Sequence, residues 1–487
     1  MAVVAALPVA AVFLLIGSRR APAWKAALLG AGLAFLLATT VWSMPLAAAL
    51  AAVAYGVATG IYPILYIVWG SLLLYQLTVV TGWAERLRTS MAHLATDRHL
   101  LLLLVGFGFA AFLDSTAGFL TPVTVATALL VGLGVPALEA AAYTLVASSL
   151  PPIFGAMGIP VLVMAEVAEV PLEALARTQA AIAALLIVGF PAWLTVTFGG
   201  MAALRRLWWP ALAAGLAYGT ALWWTVTRVS LYPAGLVAAV AALLAIWVTA
   251  GHRRLTGPDG SWRAARPWWP YWVLMGAVVV WSLPAVSTVL GRSTILVRMP
   301  VLQTLSWRLD LLASPGTAIL AATALVALFA RSSLAQVAEA VVASARQVRY
   351  PLVNMLSMFA LAQLMNASGM TRSLGMAVAG ARGAFPLLSP FLSWFGGALA
   401  GSNTASNALL GRLQSLTASQ LGLDPLLVVA IAGAAAPLGK MVAPQVIAAA
   451  VGAARLEGAE GRLLRIGLLH GLLWTSLLGV AGMLLMW

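Results

Sequence analysis

Apolar runs of about 20 residues, each long enough to cross a bilayer core, recur from end to end of this 487-residue chain and are separated by short arginine-bearing gaps. Lipid offers no water to exposed backbone groups, so only helices and closed barrels can span it. The runs are continuous in Leu, Ala, Val and Gly rather than alternating over about 10 residues, which excludes an up-and-down transmembrane barrel. The expected fold class is an all-α polytopic membrane protein with about 12–14 transmembrane helices. Charged residues make up only 8% of the chain, where a soluble domain has roughly 25%, so a water-solvated surface cannot be built from it.

The net charge of +14 would suggest nucleic acid in a soluble protein. Here the arginines fall at helix ends, where they serve topology and lipid headgroups, and no nucleic-acid partner is expected. The absence of cysteine removes disulfides, thiol nucleophiles and Cys-based metal sites. Ala2 to Gly17 is apolar and is followed by Arg19 and Arg20. It lacks a basic stretch in front and is expected to stay as a first membrane helix rather than a signal peptide.

Spans are expected at 3–17, 23–42, 44–59, 60–82, 138–165, 175–198, 208–228, 231–250, 270–290, 314–330, 351–369, 384–400, 424–452 and 463–486. Shorter pieces at 100–113, 123–134 and 406–418 lie beside sequence rich in Gly, Ser, Thr, Asn and Pro, the pattern of re-entrant or broken helices. Hydrophilic gaps fall at 83–99, 251–268, 291–312, 331–350 and 453–462. The positive-inside rule places the turn carrying Arg19, Arg20 and Lys25 in the cytoplasm.

One internal repeat stands out. Gly155-Ala156-Met157-Gly158-Ile159-Pro160 and Gly439-Lys440-Met441-Val442-Ala443-Pro444 share the form Gly-x-Met-x-x-Pro. Each follows a proline-containing break, Pro151-Pro152 or Pro437, and further upstream a polar cluster, Asp114-Ser115-Thr116 or Ser402-Asn403-Thr404. Two halves, each with a polar tip and then a broken helix, form the layout of a transporter with repeats. The corresponding division is 1–98 as N-terminal, scaffold-forming helices and 99–200 as a first core with tip 114–122 and break 148–160. Residues 201–313 connect it to a second core, 314–487, with tip 401–407 and break 433–444.

Ionisable residues inside membrane spans are costly and tend to be functional. Of the 13 carboxylates, Asp114 is set deepest in apolar sequence, with Glu139 and Asp424 the nearest exceptions. Lys440, one of two lysines, lies within the last broken span. Its ammonium could hold a substrate carboxylate or neutralise Asp114; a silent buried ion pair that fixes helix packing is the plainer reading of both. If Ser402 or Thr404 caps a half-helix, free N–H groups and the positive dipole end favour an anion there, and the same holds for Ser115 and Thr116; a purely structural cap is the alternative. Asn366-Ala367-Ser368-Gly369-Met370 is a third polar interruption, open to either reading. The Trp pairs at 208–209, 223–224 and 268–269 read as an interfacial belt. His93, His99, His252 and His470 never pair at metal-ligand spacing, and no zinc, P-loop, dinucleotide or Ser-His-Asp signature is present. No metal or cofactor is therefore expected.

Phe112-Leu113-Asp114-Ser115-Thr116-Ala117-Gly118-Phe119, Thr121-Pro122-Val123 and Phe154 to Pro160 resemble the first signature region of lactate permeases. Asn366 to Met370, Gly401 to Leu409, and Gly439-Lys440-Met441 with Pro444-Gln445 resemble the second. The resemblance runs in order along nearly the whole chain. It implies proton-coupled uptake of lactate or glycolate across a bacterial inner membrane, with a small carboxylate, a proton and lipids as partners. Similarity to the wider ion-transporter superfamily implies inverted repeats, re-entrant hairpins and an elevator-type motion of a transport domain against a scaffold. The family pattern carries Glu where Asp114 stands and Asp where Asn403 stands. Asn403 cannot titrate, which leaves Asp114 as the coupling-proton residue.

The expected substrate-binding residues are Lys440, Ser402, Asn403, Thr404, Asn407, Ser115, Thr116, Met157 and Met441, with the amides and hydroxyls of the second tip meeting a 2-hydroxyl. A passive anion channel, a sodium-coupled carrier of another organic anion and an intramembrane acid–base enzyme are the rival readings. The enzyme lacks a convincing second catalytic group at the depth of Asp114. Stoichiometry, the preferred 2-hydroxy acid and homo-oligomerisation stay open.

Overall fold

A helix closes its backbone hydrogen bonds within its own segment, and in lipid that requirement rules the chain almost throughout. The structure is a computed structural model that describes residues 1–17, 21–92, 97–118, 120–250, 266–298, 306–378 and 383–486. Arg19 and Arg20, which carry the orientation of the first turn, lie outside the described residues, as do Phe119, His93 and His252. Among the described residues, seven helices are long and apolar enough to cross a membrane. The number is eight if Arg266–Ser282 and Pro284–Ser293, bent by 74°, form one broken span. Seven shorter apolar helices accompany them, and the chain is a multi-pass membrane protein.

The helix Leu172–Arg228 turns over at Gly200 (φ 68°). Its two legs run back along each other, with Gly215 against the carbonyl of Val188 and Gly219 against that of Ala184; these legs are the spans expected at 175–198 and 208–228. Three of the expected gaps are structured instead, 83–99 in part by the helix Trp83–Ala92. In the gap 331–350, residues from Leu334 on belong to the helix Leu334–Ser368, opened by a capping box in which Ser333 Oγ accepts from the Gln336 amide and Gln336 Oε1 from the Ser333 amide. A helix with a solvated face needs no apolar run, which is why the sequence reads there as a gap. The gap 291–312 contains a small antiparallel pair of strands, Ile295–Arg298 and Ser306–Leu309, in an otherwise helical chain.

Two bundles emerge from the packing. In one, Leu334–Ser368 lies against Ala23–Thr40, Leu46–Thr59 and Tyr66–Val80, and Pro315–Phe329 against Tyr66–Val80. The other contains both polar tips and both breaks. Its first half runs from the tip helix, Arg98 to Thr116, through the hairpin Thr121–Gly132 and Ala137–Ala147, to Pro151–Phe154 and Gly155–Ala168. Its second half repeats the order: Phe385–Ala400, then Asn403–Leu421 and Pro425–Ala435, then Ala436–Val442 and Pro444–Ala454.

The halves exchange partners crosswise. Gly155–Ala168, after the first break, packs on Asn403–Leu421, after the second tip; Pro444–Ala454, after the second break, packs on Thr121–Gly132, after the first tip. Such reciprocity is what a two-fold relation between repeats produces. Along the first of these interfaces Asn403 Nδ2 donates to the Pro152 carbonyl (3.1 Å) and Asn407 Nδ2 to the Pro160 carbonyl (2.9 Å). Arg412 pairs with Glu169 at 2.6 Å.

Replacing Asn407 by the near-isosteric Leu removes the side-chain hydrogen bond to the Pro160 carbonyl and should cost roughly 1 kcal/mol. A lowered unfolding midpoint in detergent checks this; an unchanged midpoint removes the bond as a support of the interface.

Candidate functional site

Both tips and both breaks converge on one cavity of about 310 Å³. The first tip contributes Asp114, Gly118 and Leu120, and the first break Pro152, Gly155, Ala156 and Pro160. The second tip contributes Gly401 to Ala405, and the second break Lys440 and Gln445. The opposite wall comes from the other bundle: Leu65, Val68, Val348, Pro351, Asn354 and Met355.

Helix interruption is what makes the floor polar. After Phe154 the backbone passes through positive φ at Ala156, Met157 and Gly158 before the helix resumes. The second break is a 3₁₀ turn, Ala436–Val442, between two α-helices. Lys440 sits in that turn with its Nζ 3.4 Å from Asp114 Oδ1, and the two residues are 6% and 3% exposed. The ammonium and carboxylate thus form a buried pair that ties the second break to the first tip. A pair at this depth keeps both charges compensated, whereas either partner alone would be left with a large desolvation penalty.

The approach of Asp114 depends on a missing side chain. A Cβ on Gly155 would stand 2.0 Å from Asp114 Oδ2, so the carboxylate occupies the space any larger residue would fill. Across the site Gly401 turns the second tip at φ 62°, and a Cβ there would meet Gln445 Nε2 at 1.9 Å. Ser402 then caps Asn403–Leu421, its Oγ accepting from the Ala405 amide at 3.3 Å. Because Ser402, Asn403 and Thr404 all line the cavity, the positive end of that helix borders it.

The expected site residues divide. Asp114, Lys440, Ser402, Asn403 and Thr404 line the cavity, whereas Ser115, Thr116, Asn407, Met157 and Met441 do not. Ser115 and Thr116 turn their hydroxyls back onto the carbonyls of Ala111 and Phe112, the habit of such side chains inside helices. Met157 and Met441 are wholly buried packing residues. Asn403 and Asn407 direct amide donors to the first break, and their Oδ1 atoms are buried without a hydrogen-bond partner among the described residues. Thr404 differs: no hydrogen bond engages its hydroxyl among the described residues, and it is partly open. Glu139 is taken up by Arg98 and Asp424 caps Pro425–Ala435, so Asp114 is the carboxylate of the cavity among the described residues.

The sequence reading did not single out Gln445, Asn354, Trp24 or Tyr350 as site residues. Gln445 had a signal, a polar residue opening an apolar helix just after Lys440. Trp24 and Tyr350 stack at 5.6 Å on the rim, flanked by Lys25 over Trp24 and Arg349 over Tyr350. Their meeting is long-range and left no local mark. Asn366 bonds Thr371 at the end of its helix, outside the cavity. Trp208, Trp209, Trp223 and Trp224 are exposed, whereas Trp268 packs edge-on against Phe112 and Trp269 against Trp83. His99 lies against Gly199 and His470 among Trp193 and Phe198. Among the described residues no cluster of His, Asp or Glu could hold a metal ion.

Comparison with known proteins agrees along the full length. A family model described as L-lactate permease matches residues 1–487. The glycolate permease GlcA of Escherichia coli (strain K12) is 29% identical over 99% of this chain and 95% of its own. The L-lactate permease of that strain is 29% identical over 98% and 94%, and that of Bacillus subtilis (strain 168) 29% over 97% and 93%. Coverage of that extent takes in both tips and both breaks. The solved structure of the Alcanivorax borkumensis YdaH transporter matches 88% of this chain at 18% identity with a TM-score of 0.45, too distant for its architecture to be transferred.

Gly155→Ala should force the Asp114 carboxylate off Lys440 and destabilise the protein by roughly 1–3 kcal/mol, the usual cost of overpacking. Gly189→Ala, where the new methyl meets nothing within 4 Å, serves as the control. Equal unfolding midpoints for the two variants would show that the close approach at Gly155 is not structurally required.

Proposed function

This chain belongs to the L-lactate permease family, and we propose that it is a secondary carrier that moves a small monocarboxylate, lactate or glycolate, together with a proton across a bacterial cytoplasmic membrane. The observation that carries the reading is the buried Lys440–Asp114 pair on the floor of the cavity.

The pair sets the coupling by charge balance. An empty site holds one ammonium and one carboxylate and is neutral. A substrate carboxylate competes with Asp114 for the same ammonium, and two anions on one cation in a low-dielectric site are unfavourable. Protonating Asp114 releases Lys440 to the substrate, and the loaded site is neutral again. Sites holding the proton alone or the anion alone carry a net charge, which is costly to move across the bilayer. Empty and doubly loaded forms therefore cross, and one proton accompanies one anion.

Around the ammonium, the helix end at Asn403–Leu421 adds positive potential. The Thr404 hydroxyl and the Ser402 O–H are the groups placed to meet a 2-hydroxyl. Asn403 and Asn407 hold the first break in position rather than touching substrate. We assign the bundle of 1–92 and 315–368 to the scaffold and the two cores, with Leu172–Arg228 and Ala234–Ala250, to a moving transport domain; this shifts 315–368 out of the second core. A sodium-coupled carrier and an anion channel are outcomes the test below separates.

In proteoliposomes, an imposed pH gradient should accumulate labelled lactate above its external concentration, with no sodium requirement; equilibration without accumulation would indicate a channel. Lys440→Met should abolish saturable uptake, and Asp114→Asn should keep exchange of lactate for lactate but lose proton-driven accumulation. Asp114→Asn alone leaves the Lys440 charge unpaired, at a cost of about 3–5 kcal/mol, and the double variant with Lys440→Met should regain that stability without regaining transport. Proton-driven accumulation in both single variants would sink the mechanism.

A further inference from the structure

Charge balance explains how a carboxylate is held but not why the cavity is as large as it is. Lactate, with about six non-hydrogen atoms, displaces the space of only three or four waters, on the order of 100 Å³ at about 30 Å³ each. The cavity offers about 310 Å³, at the lower end of the range, roughly 300–1,000 Å³, that accommodates considerably larger organic ligands.

The distribution of polarity matters more than the size. The charged and hydroxyl groups able to bind a carboxylate and a 2-hydroxyl, Lys440, Asp114, Ser402 and Thr404, all come from the tips and breaks. The facing wall is mainly apolar, Leu65, Val68, Val348, Pro351 and Met355 with the single amide of Asn354, and at the rim it ends on the Trp24–Tyr350 stack. Water filling the apolar half would find few of the two to four polar partners that hold an ordered water, so its displacement by an apolar group is favourable.

Resting on the carrier reading above, we infer that the site takes 2-hydroxy monocarboxylates with a branched aliphatic or aromatic side chain, and takes them in preference to lactate and glycolate. The head of such an acid occupies the Lys440 end, and its side chain fills the space between Val68, Met355 and the Trp24–Tyr350 stack. Burial of each added methylene contributes about 0.8 kcal/mol, close to fourfold in affinity. 2-Hydroxy-4-methylpentanoate, with three more carbons than lactate, should therefore bind roughly tenfold tighter or more even if part of that gain is lost to ordering.

Competition for uptake of labelled lactate by the intact protein in proteoliposomes tests this. The expected result is half-inhibition by 2-hydroxy-4-methylpentanoate, and by 3-phenyllactate, at concentrations at least about tenfold below that of unlabelled lactate. Val68→Phe, which fills the apolar half, should remove that advantage of the larger acids over lactate; Met355→Phe provides the same test at a second position. Inhibition no stronger than that of glycolate in the unmodified protein overturns the inference and leaves the carrier reading intact, because lactate uptake is then still measured. Uptake of no carboxylate at all overturns both.

Discussion

A single ion pair in a place of low dielectric governs the architecture of the site. Lys440 and Asp114 are 326 positions apart in the chain, and their atoms lie 3.4 Å apart. Neither charge is tolerable there alone, so whatever brings one to the cavity must bring the other. The helix breaks bring them together. The 3₁₀ turn at Ala436–Val442 carries Lys440 to the floor, and the left-handed residues Ala156 to Gly158 swing the first break aside. Gly155 then leaves room for the carboxylate.

Broken helices raise a cost of their own, because they free backbone carbonyls in a region without bulk water. The exchange of partners between halves adds side-chain donors beside the first break, where the Pro152 carbonyl also accepts from the Gly155 amide. Asn403 and Asn407, on the helix after the second tip, donate to the carbonyls of Pro152 and Pro160 in the first break. Two features that look separate in the sequence, a polar tip and a proline break, are therefore halves of one arrangement, each half-site completed by the other repeat. Gln179, from Leu172–Arg228, ties that helix to the second core by donating to the Ala430 carbonyl at 3.2 Å, within Pro425–Ala435.

Much of this was legible before any coordinates, for physical reasons. Apolar run length fixed the membrane setting, and the Gly-x-Met-x-x-Pro repeat with its upstream polar clusters located all four elements that meet at the cavity. Residue type proved a poor guide to direction. Ser115 and Thr116 belong to the same cluster as Asp114, yet their hydroxyls fold back onto their own helix. Asn407, expected to meet substrate, lies outside the cavity lining and donates to the Pro160 carbonyl. Leu334–Tyr350 was hidden for the opposite reason: its polar face mimics a loop when only hydropathy is read, although Ser333 and Gln336 signal a helix start. Trp24 and Tyr350 could not be paired from sequence because nothing local links them.

The asymmetry between the repeats follows from the same chemistry. The backbone plan of the two halves is alike, but the charges are not: the first tip carries the acid and the second break the base, while their counterparts carry neither. Asn403 sits where the family resemblance places Asp, and its amide donates to the Pro152 carbonyl. An ionised carboxylate has no donor to offer that carbonyl and would have to hold a proton to replace the amide. An acid at this position would therefore be a second protonatable group coupled to the geometry of the first break. Asn supplies the donor permanently, so the break is held whatever the pH. On the proposed carrier reading, one acid facing one ammonium makes symport of one proton with one anion the simplest cycle this site can run.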